Sequence, residues 1–273
     1  YKFFIEIKEH WVFEINRFID FVQDKNFLSD SYTKFKQNIR LNIDGKTLNE
    51  RGEVSLIWPF KDCVLEGGMK KEDEKRNEIF FNEILAHDQI DKLFDPKVLT
   101  NFKKYTAKGE EMVKDFNRAK DGIIKDNLII KGNNLLVLHS LKKEFQGKIK
   151  LIYIDPPYNT GGSAETFTYN NNFNHSTWLT FMKNRLEVAK DFLREDGFIA
   201  ITIDHEELFY LGILADEIFN RENRIGIVTI VHKPEGRNQE KFFGTSNEFM
   251  LVYSKNKKLA EFEGVILDQD KIA

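Results

Sequence analysis

In the second half of the chain, short apolar runs alternate with stretches in which apolar residues recur at a helical period. The apolar runs predict strands at residues 127–132, 150–154, 197–204, 224–232 and 248–254. The helical periods predict helices over residues 134–145, 176–193 and 206–220. Strands that alternate with helices are typical of a sheet covered by helices. We therefore predict an α/β fold with a doubly wound, mostly parallel sheet, in which the last two strands form an antiparallel hairpin at one edge.

The first half of the chain has a different pattern. Its opening stretch, residues 1–50, carries apolar residues at spacings that predict an amphipathic helix: Phe4, Trp11, Ile15, Phe18 and Val22. Residues 54–60 are predicted to form a short strand that a proline ends, and the highly charged residues 70–120 are predicted to be helical. The sequence thus predicts a mostly helical N-terminal region, residues 1–126, followed by an α/β catalytic half, residues 127–273.

The composition excludes several classes of protein. The only cysteine is Cys63, so no internal disulfide forms and a reducing, cytoplasmic location is expected. No apolar run approaches the ~20 residues of a membrane span, and the six histidines do not cluster at metal-binding spacing. With 41 basic and 44 acidic residues, the chain lacks the overall basic charge that favours phosphate binding. A DNA-binding function would therefore need a local basic face or a part of the protein outside this chain.

The segment with the clearest chemistry follows the predicted strand 150–154, at the carboxyl end where open sheets bind ligands. Asp155 precedes a proline and must be extended, and neither Pro156 nor Pro157 has an N–H group with which to join a helix or a strand. The loop therefore presents the Asp155 carboxylate, the Pro156 carbonyl and the Tyr158 ring in a stiff arrangement. Two acceptors beside an aromatic ring suit a flat substrate that carries an amino group.

The stretch Asp155-Pro156-Pro157-Tyr158 resembles the catalytic loop of amino-methyltransferases that use S-adenosylmethionine. The resemblance implies that Asp155 and the Pro156 carbonyl bind the exocyclic amine of adenine, whose lone pair then attacks the methyl group. It also implies that Tyr158 stacks on a base flipped out of the duplex, with Asn159 as a further base contact.

Other segments extend this resemblance over roughly residues 127–258. They are the helix Trp178–Leu186, the strands 198–204 and 247–253, and the upstream segment 61–68, to which we assign no chemistry. Together they are most similar to the β-type adenine-N6 methyltransferases that serve as modification subunits of type III restriction systems. This resemblance implies an incomplete class I methyltransferase-like fold, S-adenosylmethionine as cofactor and double-stranded DNA as substrate. It further implies a homodimer and a restriction subunit with helicase and nuclease activity as partners.

The chain departs from this family at two points. At the first point, Asn133 stands where the family has an acid that contacts the adenosine end of the cofactor. We expect Asn133 either to bind the cofactor weakly, together with Asp155, or to serve only as a turn or cap residue. No glycine-rich cofactor loop follows Tyr253, so we expect this chain to be a fragment of a longer protein. Lys233 and Arg237 are expected either to contact DNA phosphates or to belong to a solvated loop.

Two other functions remain compatible with the sequence. Methylation of an RNA base uses a similar loop, whereas methylation of a protein amide favours Asn rather than Asp155 at the first loop position. A non-catalytic subunit that only assembles with partners would also explain the absence of a glycine-rich loop.

Overall fold

The computed structural model describes nine parts of the chain: residues 3–7, 10–15, 42–43, 46–47, 55–67, 79–113, 115–160, 173–231 and 246–262. The chain divides into two compact units, residues 1–55 and 56–273. The described strands of the first unit form two antiparallel pairs: β1 (Phe4–Ile7) with β2 (His10–Phe13), and β3 (Asn42–Ile43) with β4 (Lys46–Thr47).

The helix predicted at the start of the chain is wrong for residues 4–7 and 10–13. These residues pair across a hairpin in which Phe4 lies opposite Phe13, with the ring centroids 5.2 Å apart. An apolar spacing that fits one face of a helix also fits cross-strand neighbours in a hairpin, and aromatic pairs stabilise the second arrangement. Ile15, which follows the second strand, has a helical backbone, whereas Phe18 and Val22 lie outside the described residues.

In the described part of residues 70–120, the predicted helical structure is confirmed only for residues 87–94 and is wrong for three short strands. The elements there are β6 (Ile79–Asn82), α1 (His87–Phe94), β7 (Lys103–Thr106) and β8 (Gly109–Met112). Gly109 has a φ of 115°, which closes the β7–β8 hairpin and which side chains rarely permit. The strand predicted over 54–60 is absent from its described residues; the nearby strand is β5 (Cys63–Glu66), which pairs with β6.

The predicted α/β elements of the second half are largely confirmed. They are α2 (Asn134–Phe145), β9 (Ile149–Ile154), α3 (His175–Phe192), β10 (Leu193–Ile203), α4 (Leu208–Phe219), β11 (Arg224–Val231) and β12 (Asn247–Ser254). A 3₁₀ turn, Arg221–Asn223, joins α4 to β11. The sequence therefore predicts the α/β class correctly.

The arrangement of the strands differs from the prediction in detail. The sheet has the order β11-β12-β10-β9, in which β9 and β10 are parallel and the other two described pairs are antiparallel. It is therefore a mixed sheet, and the predicted β11–β12 hairpin is confirmed. Residues 127–132 form no strand in the described structure, where no other strand pairs with them. An apolar run needs a neighbouring strand to satisfy its backbone groups as a ladder.

Helices α2, α3 and α4 lie side by side, with α3 in the middle. The buried face predicted for this helix is confirmed, because Trp178, Met182, Leu186 and Ala189 of α3 are at most 8% exposed. The fifth predicted residue, Leu193, is also buried but is the first residue of β10. Strand β10 lies in the centre of the sheet, and its residue Ile201 is paired with Ile154 and with Leu251. Each such buried aliphatic side chain contributes roughly 1.5–3 kcal/mol. The core thus fixes the end of β9, where the candidate site begins.

The segment that contains β5 is attached to α3 by buried hydrogen bonds. The Trp58 indole donates to the Thr180 hydroxyl at 2.9 Å. The Asn184 amide bridges β5, accepting from Leu65 N–H at 3.0 Å and donating to the Cys63 carbonyl at 3.1 Å. Because buried polar groups are costly when unpaired, these bonds fix the register of the segment on the helix. Within the segment 61–68, Cys63 and Leu65 thus have a structural role.

Candidate active site

The Asp155 carboxylate lies at the carboxyl end of β9 and is exposed. Its Oδ1 atom accepts a hydrogen bond at 2.9 Å from the hydroxyl of Thr202, which lies on the adjacent parallel strand β10. The same hydroxyl is 3.2 Å from the Ile154 carbonyl. Thr202 therefore orients the carboxylate, while the exposure of Asp155 leaves the group accessible to a ligand.

The proline pair that follows is held by α3. The Trp178 indole N–H donates to the Pro157 carbonyl at 2.8 Å, and Pro156 is buried. Trp178 is itself fully buried, so the indole is fixed by the core. Since the Pro157 carbonyl already has this donor, the Pro156 carbonyl is the better candidate for an acceptor toward a substrate.

Tyr158 is half-buried, and its ring packs against the main core cluster. Its hydroxyl donates to Oε2 of Glu248, at the start of β12, at 3.2 Å. Burial raises the pKa of the Tyr158 hydroxyl well above its usual value, and the nearby carboxylates of Asp155 and Glu248 raise this pKa further. The hydroxyl therefore stays protonated and acts as a hydrogen-bond donor that fixes the ring.

Asn159 joins the end of the loop to two other elements. Its amide nitrogen donates to Glu207 Oε1 at 2.6 Å, and its amide oxygen accepts from Phe173 N–H at 2.7 Å. Glu207 is the N-cap residue of α4 and is fully buried, and its Oε1 also lies 2.7 Å from Nδ1 of His175, the first residue of α3. Burial raises the pKa of Glu207, an effect that Asn159 and His175 oppose.

Asn133 caps α2, because its side-chain oxygen accepts from Leu135 N–H at 3.1 Å and from Leu136 N–H at 3.5 Å. This is the cap function that the sequence left open. The next residue, Asn134, accepts from Arg185 Nε at 2.8 Å, which ties the start of α2 to α3. Burial lowers the pKa of the Arg185 guanidinium to about 9. The position of Asn133 is therefore set by both helices.

Two of the predicted site residues, Lys233 and Arg237, lie outside the described residues. Within the part of the chain that the structure describes, no group of three or more His, Cys, Asp or Glu side chains has a geometry that could hold a metal ion. In the same part, no helix is both long and apolar enough to span a membrane.

Sequence reasoning found the loop but missed the residues that hold it. Thr202 and Glu248 lie within apolar strand patterns, and Trp178 was assigned only to the core. Glu207 gave no signal beyond its place at the start of a predicted helix. The indole and hydroxyl groups could have been suspected, since such groups need a partner when they are buried.

Comparison with known proteins gives matches at both ends of the chain. Residues 149–272 match the DNA methylase family, and residues 1–41 match the methylation subunit of type III restriction/modification enzymes. A protein from Haemophilus influenzae, described as "Probable type III restriction-modification enzyme HindVI Mod subunit", is 41% identical over an alignment 317 residues long. The alignment covers 94% of this chain and 42% of that protein. The Mod subunit of the type III enzyme EcoP15I from Escherichia coli is 33% identical over 63% of this chain and 31% of its own length.

Among solved structures, the complex of M1.HpyAVI with SAM aligns with a TM-score of 0.32 and 17% identity, over 49% of this chain and 56% of that one. The chain spans less than half the length of the two Mod subunits. The family matches cover the Asp155–Tyr158 loop, strands β9 to β12 and the start of the chain. The chain is thus similar to the DNA methylases over residues 149–272, and to part of a type III Mod subunit over most of its length.

Proposed function

We propose that this chain is the catalytic part of an S-adenosylmethionine-dependent methyltransferase that modifies the N6 amine of adenine in DNA, within a type III restriction-modification system. The observation that carries the proposal is the rigid loop at the end of β9. There, the exposed Asp155 carboxylate is oriented by Thr202, and the adjoining proline pair is held by Trp178. This loop lies in the region that matches the DNA methylases.

The loop offers the acceptors that an exocyclic amine needs. The Asp155 carboxylate and the Pro156 carbonyl each accept one N–H of the amine, which draws its lone pair out of conjugation with the ring. S-adenosylmethionine supplies the electrophilic methyl group when it is bound. The half-buried Tyr158 ring stacks on the flipped base, and Asn159 borders the same base. Such acceptors act without reorganisation because the core holds them in place beforehand.

The two residues assigned to the cofactor fit it unequally. Asp155 offers an exposed carboxylate. The Asn133 oxygen is occupied by the backbone N–H groups of α2, so its remaining capacity toward an adenine amino group is small. Asn133 is therefore a secondary contact in this proposal.

The proposed partners follow from the same family. Double-stranded DNA is the substrate, a restriction subunit is the protein partner, and the modification subunit forms a homodimer. Lys233 and Arg237 are proposed to contact DNA phosphates, which would add affinity without sequence selectivity.

The test is methyl transfer by the purified full-length protein with tritiated S-adenosylmethionine and double-stranded DNA. Enzymatic digestion and chromatography should place the label in N6-methyladenine. Label in N4-methylcytosine would refute the choice of base, and transfer to RNA but not to DNA would favour the RNA enzyme. No transfer to any of these substrates, by a protein that still binds DNA and the restriction subunit, would favour a non-catalytic subunit.

A further inference from the structure

The exit of the catalytic loop has an unusual backbone conformation. Asn159 has a φ of 58°, in the left-handed region that asparagine tolerates better than most residues. Its amide makes one bond to Glu207 and one to the Phe173 backbone, which is 14 residues further along the chain. A single side chain thus connects the catalytic loop, the segment that leads into α3, and the start of α4.

Glu207 is the residue of this hydrogen-bond network whose polar atoms are not all paired among the described residues. Its side chain is fully buried, and its Oε1 lies within hydrogen-bond distance of both Asn159 and His175. Its Oε2 atom is buried without a hydrogen-bond partner among the described residues. A buried carboxylate with one unpaired oxygen is costly, so its place in the fold needs an explanation. No role in core packing supplies one, because an uncharged side chain would fill the same space at lower cost.

We propose that Glu207 is a positioning residue, which acts through Asn159 to hold the Asp155–Tyr158 loop in the geometry needed for methyl transfer. The inference rests on the proposed function for its catalytic consequence. Glu207 touches no reacting atom in this scheme. Its carboxylate accepts from Asn159, Asn159 holds Phe173, and the exit of the loop is thereby fixed against α3 and α4.

A swap of the two side chains provides a sharp test in the full-length protein. Asn159→Asp alone places two carboxylates at the present 2.6 Å contact, and we expect kcat to fall by about tenfold or more while the KM for DNA changes by less than about threefold. Adding Glu207→Gln restores one hydrogen bond with the donor and acceptor exchanged. The amide at position 207 now donates to the carboxylate at position 159. The double variant should recover kcat to within about threefold of wild type.

Asn174→Asp is the matched control. Asn174 is exposed, caps α3 without a side-chain hydrogen bond, and lies next to His175 in the chain. The substitution adds the same charge close to the network without entering it, so kcat should stay unchanged. If Asn159→Asp does not fold, Asn159→Ala removes the same bonds without adding charge; it should lower kcat, and Glu207→Gln should not rescue it.

A second readout does not depend on methyl transfer. Hydrogen exchange at the Phe173 amide, which donates to Asn159, should accelerate in Asn159→Asp and slow again in the double variant. Unchanged exchange in Asn159→Asp, or a double variant as slow in catalysis as the single one, would overturn the proposal. If the wild-type protein transfers no methyl group, the proposed function fails, while the exchange measurements still decide whether Glu207 holds the loop.

Discussion

Replacing Asp155 by alanine tests the central residue of the site. Asp155 is exposed, and the Thr202 hydroxyl that donates to its carboxylate also lies 3.2 Å from the Ile154 carbonyl, so the folded core loses little when the carboxylate is removed. We expect the free energy of unfolding to change by no more than about 0.5 kcal/mol, as at other surface positions. We expect methyl transfer to lose much more, because the proposed acceptor for the amine disappears from a preorganised site. By analogy with other such sites, the loss is about 2.7–4 kcal/mol in the transition state, or roughly a hundredfold to a thousandfold in rate.

The assay is single-turnover methyl transfer with tritiated S-adenosylmethionine, beside chemical denaturation of the same variant. Asp155→Asn is the matched variant, since its amide oxygen still accepts from Thr202 while its amide nitrogen presents donors to the amine. It should be as inactive as Asp155→Ala and as stable as wild type. Activity of either variant within a few-fold of wild type would refute the assignment. A large loss of stability would instead assign Asp155 to the fold.

Three further predictions concern neighbouring residues. Tyr158→Phe keeps the ring but loses the bond to Glu248, so it should cost about 1 kcal/mol of stability and leave single-turnover rates within a few-fold of wild type. Tyr158→Ala should slow catalysis more than it weakens DNA binding. A Phe variant as slow as the Ala variant would refute the stacking role. Asn133→Ala should destabilise the protein by about 1 kcal/mol in chemical denaturation because α2 loses its cap. Asn133→Asp should be as stable as wild type, and equal stability of the Ala variant and wild type would count against the cap. Burial, assisted by the charge of Lys142, lowers the pKa of His139 from 6.5 to about 4. In this range the unfolded chain binds a proton that the folded chain does not, so the free energy of unfolding should decrease as the pH is lowered from 6.5 to about 4. His139→Phe, which keeps the stack on Phe94, should flatten this dependence, and an unchanged pH profile of that variant would contradict the prediction.

The parts of the fold that the sequence predicts well are those in which local periodicity and burial agree. Helix α3 has an apolar stripe over 18 residues, long enough that no strand pattern fits it equally well. The four-residue strands of the N-terminal hairpin are too short for this discrimination. Residues 127–132 show a further limit, because a run of apolar residues becomes a strand only when another strand pairs with it.

The candidate site also has a part that the sequence predicts and a part that it does not. The shape of the loop follows from Asp155 and the two prolines, whose steric effects act on adjacent residues and can be read from the sequence. The residues that orient it are distant along the chain: Thr202 is 47 residues from Asp155, and Glu248 is 90 residues from Tyr158. Such partners depend on the order and register of the strands, which short apolar patterns leave undetermined.

The means by which the loop is held also indicate how the site responds to changes elsewhere. Its described side-chain bonds come from β10 through Thr202, from α3 through Trp178, from α4 through Glu207 and from β12 through Glu248. Helices α3 and α4 pack against each other, and β10 lies between β9 and β12, so these four elements share one core. A shift of any one element by about 1 Å would move its hydrogen-bonding group relative to the loop, and displacements of this size are enough to reduce catalysis strongly. Core substitutions that leave the protein folded should therefore lower kcat more than they weaken DNA binding, because the proposed phosphate contacts do not depend on the loop geometry.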